Sequence, residues 1–134
     1  FTQKTAYDIS LGLVGSEMCI RDSSMHPSKF TVAPVGAITT LLSQVGWNKD
    51  DVDLFEINEA FAMVTMLAIR ELDLDPSKVN IYGGACAQGH PIGSTGSRLI
   101  VTLAHALRKT GGKRGVAALC IGGGEATAIA IETV

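Results

Sequence analysis

The chain has 134 residues, 46% of them hydrophobic, with 11 Lys and Arg against 13 Asp and Glu. That length holds at most one domain with a modest core. A net charge of −2 excludes the basic footprint of nucleic-acid or anionic-membrane binders, and no apolar run reaches the ~20 residues of a bilayer-spanning helix. Residues 1–24 open the chain without a sustained helical or strand period and read as an irregular arm. Residues 9–15 are too short for a secretory signal, and Asp8 stands where Lys or Arg is expected. Residues 7–23 resemble translated read-through of a sequencing adapter, so the arm reads as non-native sequence and is assigned no function. The composition break near Ser24 and Met25 bounds the domain proper, residues 25–134.

From Pro34 the pattern becomes regular. Val35, Ile38, Leu41, Leu42 and Val45 form a helical stripe over 34–45, with Pro34 suited to the first turn and Gly46 to the stop. Residues 52–57 predict a short strand. Asn58 can cap a helix running to about Leu72, with Glu59 well placed for the helix dipole. Residues 79–82 predict a brief strand leading into the glycine-rich loop 83–96. Residues 97–110 predict an apolar helix ended by Gly111-Gly112. Residues 115–121 and 126–131 predict two strands whose short link, Gly122-Gly123-Gly124-Glu125, favours an antiparallel hairpin. Strands alternating with helices predict a layered α/β fold around a mixed sheet. Strands apolar throughout predict helices on both of its faces.

Three segments carry polar anchors at element ends: Asn58-Glu59-Ala60-Phe61, Gly83 to Arg98, and Cys120-Ile121-Gly122-Gly123-Gly124. His90 sits between Gly89 and Pro91. It reads either as a structural histidine or as an imidazole aimed into a cleft, able to take a proton or to bind an oxyanion. Cys120 is either a buried core thiol or an active group at a strand end. Asn58 is either a cap or a holder of water or substrate carbonyl, and Phe61 either fills core or lines a pocket. His26 and His105 read as bystanders and Cys86 as a small packing residue. The cysteines Cys19, Cys86 and Cys120 form no CxxC pair and leave one odd. That argues against a disulfide scaffold or a zinc site, and for a reducing compartment; the expected location is the cytoplasm, with mitochondrion and peroxisome left open. Residues 89–98 fail the GxxxxGK[ST] spacing of a phosphate loop. The order of Cys120, His90 and Asn58 does not fit papain-like proteases.

Taken together, the three segments resemble the C-terminal portion of a thiolase, from about Ala33 to Val134, of the acetyl-CoA acetyltransferase and 3-ketoacyl-CoA thiolase type. The resemblance implies an acyltransferase acting between acetyl-CoA and 3-ketoacyl-CoA. Coenzyme A thioesters are its substrates and no cofactor is implied. It assigns His90 to activating the nucleophilic cysteine and binding thioester oxygen, and Cys120 to moving the α-proton of acetyl-CoA. Asn58 would hold an oxyanion-hole water, Gly122 would lend its N–H to a second oxyanion hole, and Phe61 would line the acyl pocket. Such enzymes carry their acyl-accepting cysteine in an N-terminal part that this sequence does not match, and the surroundings of Cys19 do not fit that role. The expectation is therefore an inactive fragment of a longer, homodimeric or homotetrameric enzyme. The competing reading is a non-catalytic thiolase-like domain used for binding or assembly.

Overall fold

The computed structural model describes residues 16–133. Its strands are β1 (Ser16–Ser24), β2 (Leu54–Ile57), β3 (Arg114–Cys120) and β4 (Glu125–Thr133). Its helices are α1 (Ala33–Val45), α2 (Ala62–Leu72), α3 (Ala85–Gln88) and α4 (Thr95–Thr110). The sheet order is β1-β4-β3-β2. β3 and β4 form the expected antiparallel hairpin, and β1 runs antiparallel to the far side of β4. β2 lies parallel to β3, in register from Leu54 opposite Gly115 to Ile57 opposite Ala118. A parallel pair needs a crossover, and α2 to α4 provide it.

Side-chain alternation divides the core in two. Phe55, Ile57, Val116, Ala118, Ala126, Ala128 and Ala130 face Ala37, Ile38 and Leu41 of α1 and Ala68 of α2. Leu54, Ala117, Ile129 and Ile131 face Leu99, Leu103 and Leu107 of α4. Each large side chain buried this way contributes roughly 1.5–3 kcal/mol. Both faces are covered, which is why the central strands read as unbroken apolar runs. The α/β reading with a mixed sheet and helices on both faces holds.

Four local expectations change. Residues 16–24 are not irregular: they pair with β4 along their length, from Ser16 opposite Thr133 to Ser24 opposite Glu125. An edge strand draws much of its order from backbone pairing, so its sequence signal is weak. Residues 1–15 lie outside the described residues. Residues 79–82 form no strand: Val79 makes one bridge to Phe55, and Asn80 then turns left-handed at φ 49°. The Asn80 amide caps the outer edge of β2 in place of a strand. Its Oδ1 accepts the Ile57 N–H at 2.8 Å and its Nδ2 donates to the Ile57 carbonyl at 2.9 Å. The second long helix starts at Ala62 rather than near Asn58, because the Asn58 N–H donates to the Ala118 carbonyl at 2.8 Å and prolongs the parallel ladder. Helix α4 starts at Thr95, two residues early, and the short α3 lies inside the glycine loop.

Candidate active site

The parallel pairing of β2 and β3 brings their C-terminal ends to one edge of the sheet. Asn58 follows β2 and is bonded to Ala118, two residues before Cys120 ends β3. Asn58 is not a helix cap; Phe61 occupies that position, without a side-chain bond. The Asn58 side chain is fully buried. Its Oδ1 accepts from Arg98 Nη2 at 3.5 Å, and its Nδ2 has no partner.

Arg98 stands on the first turn of α4 and donates from Nη1 to Gln88 Oε1 at 3.0 Å. Gln88 Nε2 in turn donates to the Tyr82 and Gly83 carbonyls at 3.2 and 3.0 Å. The end of β2 is thereby tied to the glycine loop. Glu59 makes a second tie: its Oε2 accepts the Cys86 N–H at 2.9 Å. Gly84 lies directly against that carboxylate, where a Cβ would collide with it, so this glycine answers to close packing. Cys86 is exposed rather than packed inside, and the thiol's own hydrogen bond to the Glu59 carboxylate, then burial, raises its pKa.

His90 is exposed on the loop, with Nδ1 2.7 Å from Thr95 Oγ1. Thr95 is fully buried and donates its single hydroxyl hydrogen to the Pro91 carbonyl at 3.0 Å. Oγ1 then serves as acceptor, which assigns the proton of neutral His90 to Nδ1 and leaves Nε2 as the basic nitrogen. Cys120 is buried at the strand end, and burial raises the pKa of its thiol. Gly122 is exposed in the turn after it. The turn's bonds run from Ile121 N–H to Glu125 O and from Gly124 N–H to Ile121 O, and use neither the Gly122 N–H nor its carbonyl. Gly124, at φ 99°, packs against the backbone of Met25 and admits no side chain. Phe61 is 59% exposed, its ring edge-on to Phe30 at 6.1 Å, and does not fill core.

Asn58 and Cys120 thus stand at the same end of the β2–β3 pair, and the loop that carries His90 is linked to Asn58 through Gln88 and Arg98. Among the described residues no hydrogen bond joins His90, Cys120 and Asn58 to one another. Three neighbours escaped the sequence reading. Thr95 and Arg98 lie within the Gly83–Arg98 segment, where nothing local marks them off as partners of His90 and Asn58. Glu56 had a signal, a charge inside the apolar run Leu54-Phe55-Glu56-Ile57. It is 1% exposed with Oε2 unpartnered. Burial pushes its pKa up to about 7, with Arg98 pulling down and Glu59 pushing up.

Comparison with known proteins supplies the wider context. The family model described as thiolase, C-terminal domain, matches residues 14–133. The cytosolic acetyl-CoA acetyltransferase of Mus musculus is 53% identical over 110 residues, covering 82% of this chain and 28% of that protein. The mitochondrial acetyl-CoA acetyltransferase B of Xenopus laevis is 43% identical over 131 residues, covering 98% of this chain and 31% of that protein. Among solved structures, the Acat5 thiolase from Ascaris suum in complex with coenzyme A superposes with a TM-score of 0.84 at 46% identity, covering 89% of this chain and 31% of that one. The chain therefore spans under a third of the length of these relatives.

Proposed function

This chain belongs to the thiolase family through its C-terminal domain, and from that premise we propose that it supplies the proton-transfer and oxyanion-binding side of an acyltransferase acting on coenzyme A thioesters. The reaction is carbon–carbon bond formation between two thioesters, or its thiolytic reverse. The observation that carries this reading is the parallel β2–β3 pair, which sets Asn58 beside the strand that ends in Cys120, with the His90 loop tied to Asn58 through Arg98 and Gln88.

Each group suits one step. His90 Nε2, free as a base, takes the proton of a nucleophilic thiol contributed by a longer polypeptide, and that thiolate displaces coenzyme A to form an acyl-cysteine. Cys120, held as a neutral thiol by burial, gives its proton to the departing coenzyme A thiolate, and the Cys120 thiolate so formed removes the α-proton of acetyl-CoA. The resulting carbanion attacks the acyl-cysteine carbonyl, and collapse of the tetrahedral adduct expels the first thiolate. A water held by Asn58 Nδ2, together with His90, meets the charge on the thioester oxygen. The Gly122 N–H meets the charge on the adduct. Donors fixed in place this way are worth roughly 2.7–4 kcal/mol each. Phe61 lines the acyl side. The protein acts in the cytoplasm and as a homodimer or homotetramer; the relatives compared include both cytosolic and mitochondrial forms.

The test uses the full-length protein that carries this chain. Treatment with acetyl-CoA is expected to add an acetyl group to one cysteine, seen by mass spectrometry, and His90→Ala is expected to cut turnover at least about 100-fold. An unmodified protein would favour a binding or assembly domain instead. A His90→Ala enzyme of undiminished rate would remove the central assignment.

A further inference from the structure

Every buried side-chain atom without a partner among the described residues falls in one cluster: Glu56 Oε2, Asn58 Nδ2 and Arg98 Nε. Buried polar atoms are nearly always paired, so three orphans together mark a place kept polar for a reason other than stability. The bonds around them have a direction. Gln88 Nε2 donates to two loop carbonyls, so Gln88 Oε1 is committed as an acceptor. Arg98 has donors alone, and it meets that oxygen with Nη1 and Asn58 Oδ1 with Nη2. Asn58 is thereby held with its oxygen toward Arg98 and its amide hydrogens away from it. An amide released from Arg98 has two orientations, and one of them presents an oxygen where a donor is needed.

We propose that Arg98 is a positioning residue for the reaction: held by Gln88, it fixes the orientation of the Asn58 amide so that Nδ2 faces the reacting oxygen or its water. The inference rests on the acyltransferase reading above and adds to it a residue that touches no substrate. Glu56 lies on the α4 side of the sheet, the same side as Leu54, and its Oε2 and the Arg98 Nε are both left without a partner among the described residues.

The test is kinetic, in the full-length enzyme, on a double-mutant cycle of Arg98→Met and Asn58→Ala, with the fold of each variant checked by its melting temperature. Arg98→Met is expected to lower kcat about 10- to 100-fold with KM for acetyl-CoA within about threefold of native. In the Asn58→Ala background the same change is expected to have no further effect, because the two residues act as a unit. Arg98→Lys, which keeps a charged donor, should recover part of the loss. Asn58→Asp, which keeps the acceptor for Arg98 and removes the donor, should be as slow as Asn58→Ala. If Arg98→Met does not fold, Gln88→Ala at an exposed position takes its place, lowering kcat about threefold in the native background and not at all in Asn58→Ala. Losses that multiply independently, or an unchanged kcat, overturn the positioning role while leaving the acyltransferase reading intact. A native enzyme without acyl transfer overturns both.

Discussion

At Glu56 burial outweighs charge. The carboxyl keeps its proton up to about pH 7 in the fold, against a reference value of 4.5. A raised carboxyl binds its proton more tightly when folded than when unfolded. Its contribution to stability is therefore fully present below about pH 4.5 and is lost as pH rises through about 7. The shift corresponds to at most ~3 kcal/mol. Glu56→Gln keeps the shape and stays neutral, so its urea midpoint should hold level across this window while that of the native chain falls. A native midpoint that does not fall between those pH values would contradict the assignment. The sequence exposes Glu56 only as a charge in an apolar strand. That burial raises its pKa, and that Arg98 lies beside it, follows from α4 packing over β2.

At the scale of elements, β2 is closed on one side by a strand and on the other by a side chain. Asn80 reproduces the donor and acceptor of a neighbouring strand with its own amide, from a left-handed backbone that Asn tolerates better than most residues. Asn80→Ala removes both bonds and places Ala at positive φ. The expected cost is about 2–4 kcal/mol, read from the shift in urea midpoint. Asn80→Asp retains the acceptor and loses the donor, and is expected to fall between the two. A shift below about 0.5 kcal/mol for Asn80→Ala would mean that water replaces the amide at this edge. Here sequence reasoning reached the right place with the wrong element. Residues 79–82 have strand composition, and they do meet β2 through the Val79 bridge and the Asn80 N–H to Phe55, but beyond that the pairing passes to the Asn80 side chain because its backbone turns left-handed. The same limit applies to the second helix: Asn58 has the chemistry of a cap, and only the bond to Ala118 shows that the chain is still extended there.

At the scale of the whole molecule, the sheet carries α1 and α2 on one face and α4 on the other, and some apolar surface stays open. Ile92 is 84% exposed and Val101 43%. A cavity of about 190 Å3 between α4 and the sheet is lined by Leu99, Ile100, Ala117, Leu119 and Ile129 among others. On the proposed reading the nucleophile belongs to a longer polypeptide, so the purified 134-residue chain is expected to show no cleavage of acetoacetyl-CoA, and the full-length protein to show it. Cleavage by the isolated chain would overturn that division of labour. What the sequence by itself determined is local and chemical: the helical stripe ending at Gly46, the hairpin turned by Gly122 to Gly124, the α/β class, and the three segments that resemble thiolases. These depend on residue type and short spacing, which are written in the chain. The tertiary structure alone decided what depends on distant partners. It paired residues 16–24 with β4, turned Asn80 into an edge cap, and set Thr95 against His90. It also placed Glu56 and Arg98 around Asn58, residues 42 positions apart at their extremes that meet because a parallel strand pair carries its helix back over the sheet.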